Sequence, residues 1–218
     1  DACRFCWMCR HVCPVGLVTG KEIHNARSKG LLVSMESRNH PLDESGMGIM
    51  YECCVCKACT NDCVTGFDPS VFILEARTKA VVEDAVPANV KKVLNRALQD
   101  SIYEDAPFEE LTERIKKLPP EADVLLYTGE AGRKAAHAIS MAYMDLLEKG
   151  NIEFTALVEE PVSGAQLGEL MGYVDDVRKK AVACMDKIAS SKAKLVIVLD
   201  PTDCAFFKHV CGEWGILP

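Results

Sequence analysis

Eight of the chain's twelve cysteines fall into two blocks near one end. The first reads Cys3-x2-Cys6-x2-Cys9-x3-Cys13-Pro14, and the second reads Cys53-x2-Cys56-x2-Cys59-x3-Cys63 with Cys54 as an additional thiol. Thiolates two residues apart can converge on one small inorganic core wherever the backbone turns tightly. A fourth thiolate after a longer gap points elsewhere and ligates a neighbouring core. This is the spacing that holds iron–sulfur cubanes. It assigns Cys3, Cys6, Cys9 and Cys63 to one [4Fe–4S] centre, and Cys53, Cys56, Cys59 and Cys13 to a second. The competing chemistry is a pair of four-thiolate zinc sites. Zinc ribbons favour two separated Cys-x2-Cys pairs, whereas each run here supplies its four cysteines in one block.

The remaining thiols divide differently. Cys54 reads as a buried thiol behind the second centre, or else as a ligand replacing Cys53. Cys184 falls on the apolar side of a helix with Val177, Ala181 and Ile188, which makes it a core residue. Cys204 and Cys211 are seven apart, so an unbroken helix puts them on one face, where His209 could complete a partial metal site. His24 and His40 read as surface or loop residues, and Phe5 and Trp7 as shields for the first centre. Arg4, Arg10 and Lys57 are either solvated charges or counter-charges to a negative cluster.

Composition narrows the classes. A disulfide scaffold would spread its cysteines, yet residues 64–183 contain none, so metal binding in a reducing, cytoplasmic setting is expected. The formal net charge is −7; residues 1–80 are balanced, and the acidic excess lies beyond them. Without a basic stripe, nucleic acid is not an expected partner. No apolar run is long enough to span a membrane. Asp1 stands very close to the first ligand and Leu217-Pro218 ends abruptly, so trimmed or incompletely known termini are expected.

The elements that must position these residues follow from pattern and punctuation. The 39 residues between Cys13 and Cys53 leave room for one or two helices, expected within 15–39, followed by a loop at 41–48. Asp68 and Pro69 signal the start of a helix running to about Asp84. Residues 85–120 read as a helical linker, with the domain boundary at Pro119-Pro120. Strands are expected at 124–129, 152–158 and 195–201, helices at 132–149, 166–189 and 204–209. The fold class is therefore mixed: an α-helical ferredoxin domain over 1–84, then an α/β domain over 121–218 with a small parallel sheet. No phosphate-binding loop is present, since Gly129-x2-Gly132 lacks the third glycine and the lysine.

The blocks at 3–14 and 54–63, with the strand–helix order of 124–211, resemble the iron–sulfur subunits of the heterodisulfide reductase and glycolate oxidase type. The resemblance implies a helical two-cluster ferredoxin domain and an α/β domain whose CCG motifs can hold a further, non-cubane cluster. This chain departs from that pattern: Glu159-Glu160-Pro161 stands where paired cysteines belong, and Thr128-Gly129-Glu130 also lacks a thiol. The α/β domain is thus expected to keep the fold without its cluster. The expected function is a non-catalytic electron-transfer subunit of an oxidoreductase complex. By resemblance its partners are a flavoprotein dehydrogenase, an electron-transfer flavoprotein or a membrane cytochrome, the last making it peripheral to a membrane. The rival functions are a catalytic reductase with a third cluster and a zinc-stabilised interaction module.

Overall fold

The computed structural model describes residues 3–216, and the two ends on which the expectation of trimmed termini rests lie outside them. The chain is mostly helical with one small parallel sheet, and it forms two compact units. The first runs through Leu94 and includes Glu169–Gly172; the second comprises Asn95–Gly168 and the chain from Tyr173 onward.

In the first unit, side-chain caps from Asn25, Asp43 and Asp68 start three of the helices. Helix α1 (Pro14–Thr19) has Pro14 in its first turn and ends at Gly20, whose φ of 66° is the left-handed closure that glycine allows. A 3-10 turn at Glu22–His24 follows. The Asn25 side chain then accepts from Ser28 N to open α2 (Ala26–Glu36). The helical stretch expected across 15–39 is thus two helices, because Gly20 and Asn25 stop one and start the other.

Residues 44–48 depart from the expected loop. Asp43 accepts from Gly46 N at 2.7 Å and starts α3 (Glu44–Tyr51), which buries Met47 and Met50. The cap and two buried methionines outweigh the helix cost of Gly46 and Gly48. After α4 (Ala58–Asn61), the Asp68 cap and Pro69 open α5 (Pro69–Val82) as expected, with Asp68 accepting from Ser70 N at 2.9 Å. Helix α5 packs on α2 and α3 and forms the wall behind both cysteine blocks.

The stretch 85–120 holds α6 (Ala88–Gln99) and α7 (Glu109–Lys116). Leu111 and Ile115, one turn apart on α7, join Leu126, Met144, Leu147 and Phe154 in the core of the second unit. That part of the expected linker is therefore integral to the α/β core.

The sheet of the second unit is parallel, ordered β2-β1-β3: β1 (Val124–Tyr127) lies between β2 (Phe154–Thr155) and β3 (Leu195–Val198). Val124 faces Phe154 on one side and Leu195 on the other. All three strands are shorter than their apolar runs suggest.

The helices are also more broken than periodicity implies. Residues 129–149 form α8 (Gly129–Lys134) and α9 (His137–Lys149), and 165–190 form α10 (Ala165–Met171) and α11 (Asp175–Ser190). Gly172 separates the latter pair at φ 83°. Helix α12 (Pro201–Ala205) passes into a π-helical turn at Phe206–Cys211. A π turn takes more residues than an α turn, so Cys204 and Cys211 do not share a face. Cys211 is buried, whereas Cys204 is partly exposed.

Candidate metal centre

The two cysteine blocks repeat each other down to single torsion angles. Phe5 and Val55, each immediately before the second cysteine of its block, both take φ of 51°. In that left-handed conformation Phe5 N donates to Cys3 Sγ at 3.4 Å, and Val55 N donates to Cys53 Sγ at the same distance. A β-branched residue is rarely found there, so Val55 carries local strain. The effect is a tight loop whose amide points at the first sulfur of each block. Such N–H···S bonds stabilise a thiolate, the form in which sulfur binds metal.

The fold then brings together the thiols that the spacing assigned. Cys3, Cys6, Cys9 and Cys63 line one open hollow. Cys13, Cys53, Cys56 and Cys59 line a second. Each block's fourth cysteine thus stands in the other block's hollow. Cys59 and Ala26 line both, so the hollows adjoin. Among the described residues no group of three or more Cys, His, Asp or Glu is placed to hold a single metal ion.

Electrostatics show the same grouping. Burial pushes the Cys9 thiol up, and repulsion from Cys3, Cys6 and Cys63 adds to it. Burial and then Cys53 push Cys59 up to about 11. Cys63 is lowered, chiefly by the Thr65 hydroxyl 3.3 Å away. Cys54 is raised by burial and by Cys53, Cys56 and Cys13, and drawn down by Lys29. It is an exposed thiol at the second hollow, with no place behind it. Metal binding would release the protons that such crowded thiols otherwise keep. The donor set, its grouping and the amide bonds to sulfur fit two thiolate-bound clusters.

Several neighbouring residues do other work than their sequence positions suggest. Trp7 is 54% exposed and forms no part of the first hollow; it stacks under Arg27 at 4.2 Å and Arg10 at 5.3 Å. That hollow is lined instead by the apolar Met8, Val64, Phe67 and Pro69, of which Met8 and Val64 are themselves exposed. Arg4 lines the first hollow, Arg10 pairs with Glu22 at 2.7 Å, and Lys57 pairs with Asp68 at 3.6 Å. His24 is no surface residue: its ring is mostly buried and pairs with Glu52 at 3.0 Å.

Sequence reasoning missed three cations. Arg27 Nε donates to Phe5 O at 2.7 Å and so fixes the first loop. Arg77, 3% exposed, donates to Met50 O and Cys53 O and fixes the second. Lys29, 1% exposed, reaches His24 O and lines the second hollow. Their positions in helices gave no signal, since Arg77 stands among Glu75, Thr78 and Lys79 in α5.

In the α/β unit, the natural crevice lies at the carboxyl ends of β1 and β3, where the strand order reverses. It is filled from within. The carboxylate of Glu160 accepts from Thr128 N at 2.9 Å, Thr128 Oγ1 at 3.0 Å and Gly129 N at 2.8 Å, with Arg133 Nε at 3.4 Å. Burial pushes this carboxyl up, while Arg133 and the Thr128 and Gly129 donors pull it down. Asp203 lies beside it, bonded to Ser163 Oγ. Its second oxygen is unpartnered and sits 2.7 Å from where a Cβ on Gly129 would be. Cys184 and Cys211 are buried within the unit, and Cys184 donates to Tyr127 Oη at 3.5 Å. No family model, curated protein or solved structure matches the chain.

Proposed function

We propose that this protein is an electron-transfer subunit of a larger oxidoreductase, holding two [4Fe–4S] clusters side by side. The observation that carries the reading is the exchange of fourth cysteines: Cys63 stands with Cys3, Cys6 and Cys9, and Cys13 with Cys53, Cys56 and Cys59. When bound, each cluster supplies one-electron redox chemistry. The chain's own residues do the rest. The eight cysteines would hold the iron, Phe5 N and Val55 N would stabilise two of the thiolates, and Phe67 would flank the first cluster. Cys59 borders both hollows, so the two sites adjoin.

Two-electron chemistry then belongs to a partner, and a flavoprotein is the kind of partner suited to single-electron hand-over. The α/β unit serves as scaffold or dock. In support, the inward-turned Glu160 occupies the crevice at which a reductase of the resembled type would hold its further cluster. A membrane cytochrome is a second acceptor of the right chemistry, and no helix among the described residues is long and apolar enough to cross a membrane itself.

Anaerobic reductive titration tests the reading. The purified chain should take up about two electrons, one per cluster, with bleaching of a broad visible absorption, and should return them to a one-electron acceptor. A chain that takes up none and contains zinc is the interaction module instead.

A further inference from the structure

We propose that Lys29 is the residue that raises the reduction potential of the second centre, the one held by Cys53, Cys56, Cys59 and Cys13. The inference rests on the cluster reading above and adds a regulator to that site. Lys29 projects from α2 and is 1% exposed. Its ammonium donates to His24 O, and among the described residues no carboxylate pairs with it. One carbonyl satisfies one of the three donors that a lysine carries. A buried ammonium so poorly compensated is costly unless an anion faces it.

The anion's place is the second hollow, which Lys29 lines. His24 O, which receives the Lys29 ammonium, also lies 3.6 Å from Cys13 Sγ. The positive charge therefore stands beside the crossing ligand of that centre. Four thiolates around an oxidised cubane leave net negative charge, and reduction by one electron adds another. A nearby ammonium favours the reduced form more than the oxidised one, most strongly where water is excluded.

Among the described residues no other cation near the hollows combines these features. Arg4 is exposed, and Arg27 is half-buried and bonded to Phe5 O. Lys57 is exposed and paired with Asp68. Arg77 is buried, but its guanidinium is taken up by the carbonyls of Met50, Cys53 and Glu169, and it does not line the hollow.

The test is a potentiometric titration of the full chain, followed by electron paramagnetic resonance, with iron content measured in parallel. Lys29→Met should lower one of the two midpoint potentials and leave the other in place. Lys29→Arg, which keeps the charge, should stay close to the parent. Should Lys29→Met fail to load its second centre while Lys29→Arg loads it normally, the charge is again what the site requires. Unmoved potentials in Lys29→Met, or both potentials moving together, would overturn the proposal. Equal loss of iron in both variants would also do so, since Lys29 would then be only a structural prop. A parent protein that holds iron but ignores Lys29 sinks this inference alone, whereas a parent without iron sinks the cluster reading with it.

Discussion

Cys63 is the residue on which the site assignment turns. It belongs in sequence to the second block but stands in the first hollow, with Cys3, Cys6 and Cys9. On the two-cluster proposal, Cys63→Ala should remove the first centre and spare the second, lowering iron from about eight to about four per chain. Cys13→Ala should leave the complementary half. Electron paramagnetic resonance of the two variants checks this, because the signal lost in one should be the signal kept in the other.

At the other end of the chain, Asp203 makes a prediction about pH. Burial, reinforced by Asp200, Glu160 and Glu130, raises its carboxyl to about 7. The folded protein thus keeps a proton that the unfolded chain releases near pH ~4. Stability from this group is complete below that value and is lost as pH rises to about 7. Asp203→Asn should flatten the decline and gain on the order of 2–4 kcal/mol at pH 8. Urea unfolding followed by Trp214 fluorescence, in a Trp7→Phe background, measures it; parallel pH profiles for parent and variant would contradict the assignment.

At the scale of elements, the cysteine loops are held by helices that begin beside them. Helix α5 presents Pro69 to the first hollow and Ser70 and Ile73 to the second. Its start depends on Asp68, which accepts from Ser70 N at 2.9 Å and from Thr60 Oγ1 at 2.8 Å. Asp68→Ala should cost about 1–2 kcal/mol and loosen the wall of both sites. A lower thermal midpoint is the expected result and, on the two-cluster proposal, faster loss of iron to a chelator. Unchanged chelator kinetics would separate the helix from the site.

This scale also divides what the sequence makes legible from what it does not. The Asp68-Pro69 start, the parallel sheet and the grouping of cysteines all follow from local spacing. The helix at 44–51 does not, because Met47 and Met50 favour it only once the rest of the unit buries them. Lys29 and Glu160 are hidden for the same reason. A charged side chain reads as surface until tertiary structure supplies a carbonyl or an amide for it. The π turn at Phe206–Cys211 likewise interrupts a pattern that periodicity alone extends.

For the whole molecule, the thiols are segregated. The first unit gathers nine around two adjoining hollows, and the second keeps Cys184 and Cys211 inside its core. Its crevice is closed by Glu160, whose carboxylate uses the amides at the start of α8 that a ligand would otherwise meet. On the proposed function, redox chemistry is confined to the first unit, and the second supports partners. Counting iron and acid-labile sulfide in anaerobically purified protein, with zinc assayed alongside, tests the two-cluster proposal most directly. The expected result is about eight of each per chain and negligible zinc. About two zinc ions without sulfide would contradict the two clusters, and roughly ten to twelve irons would contradict the closed crevice.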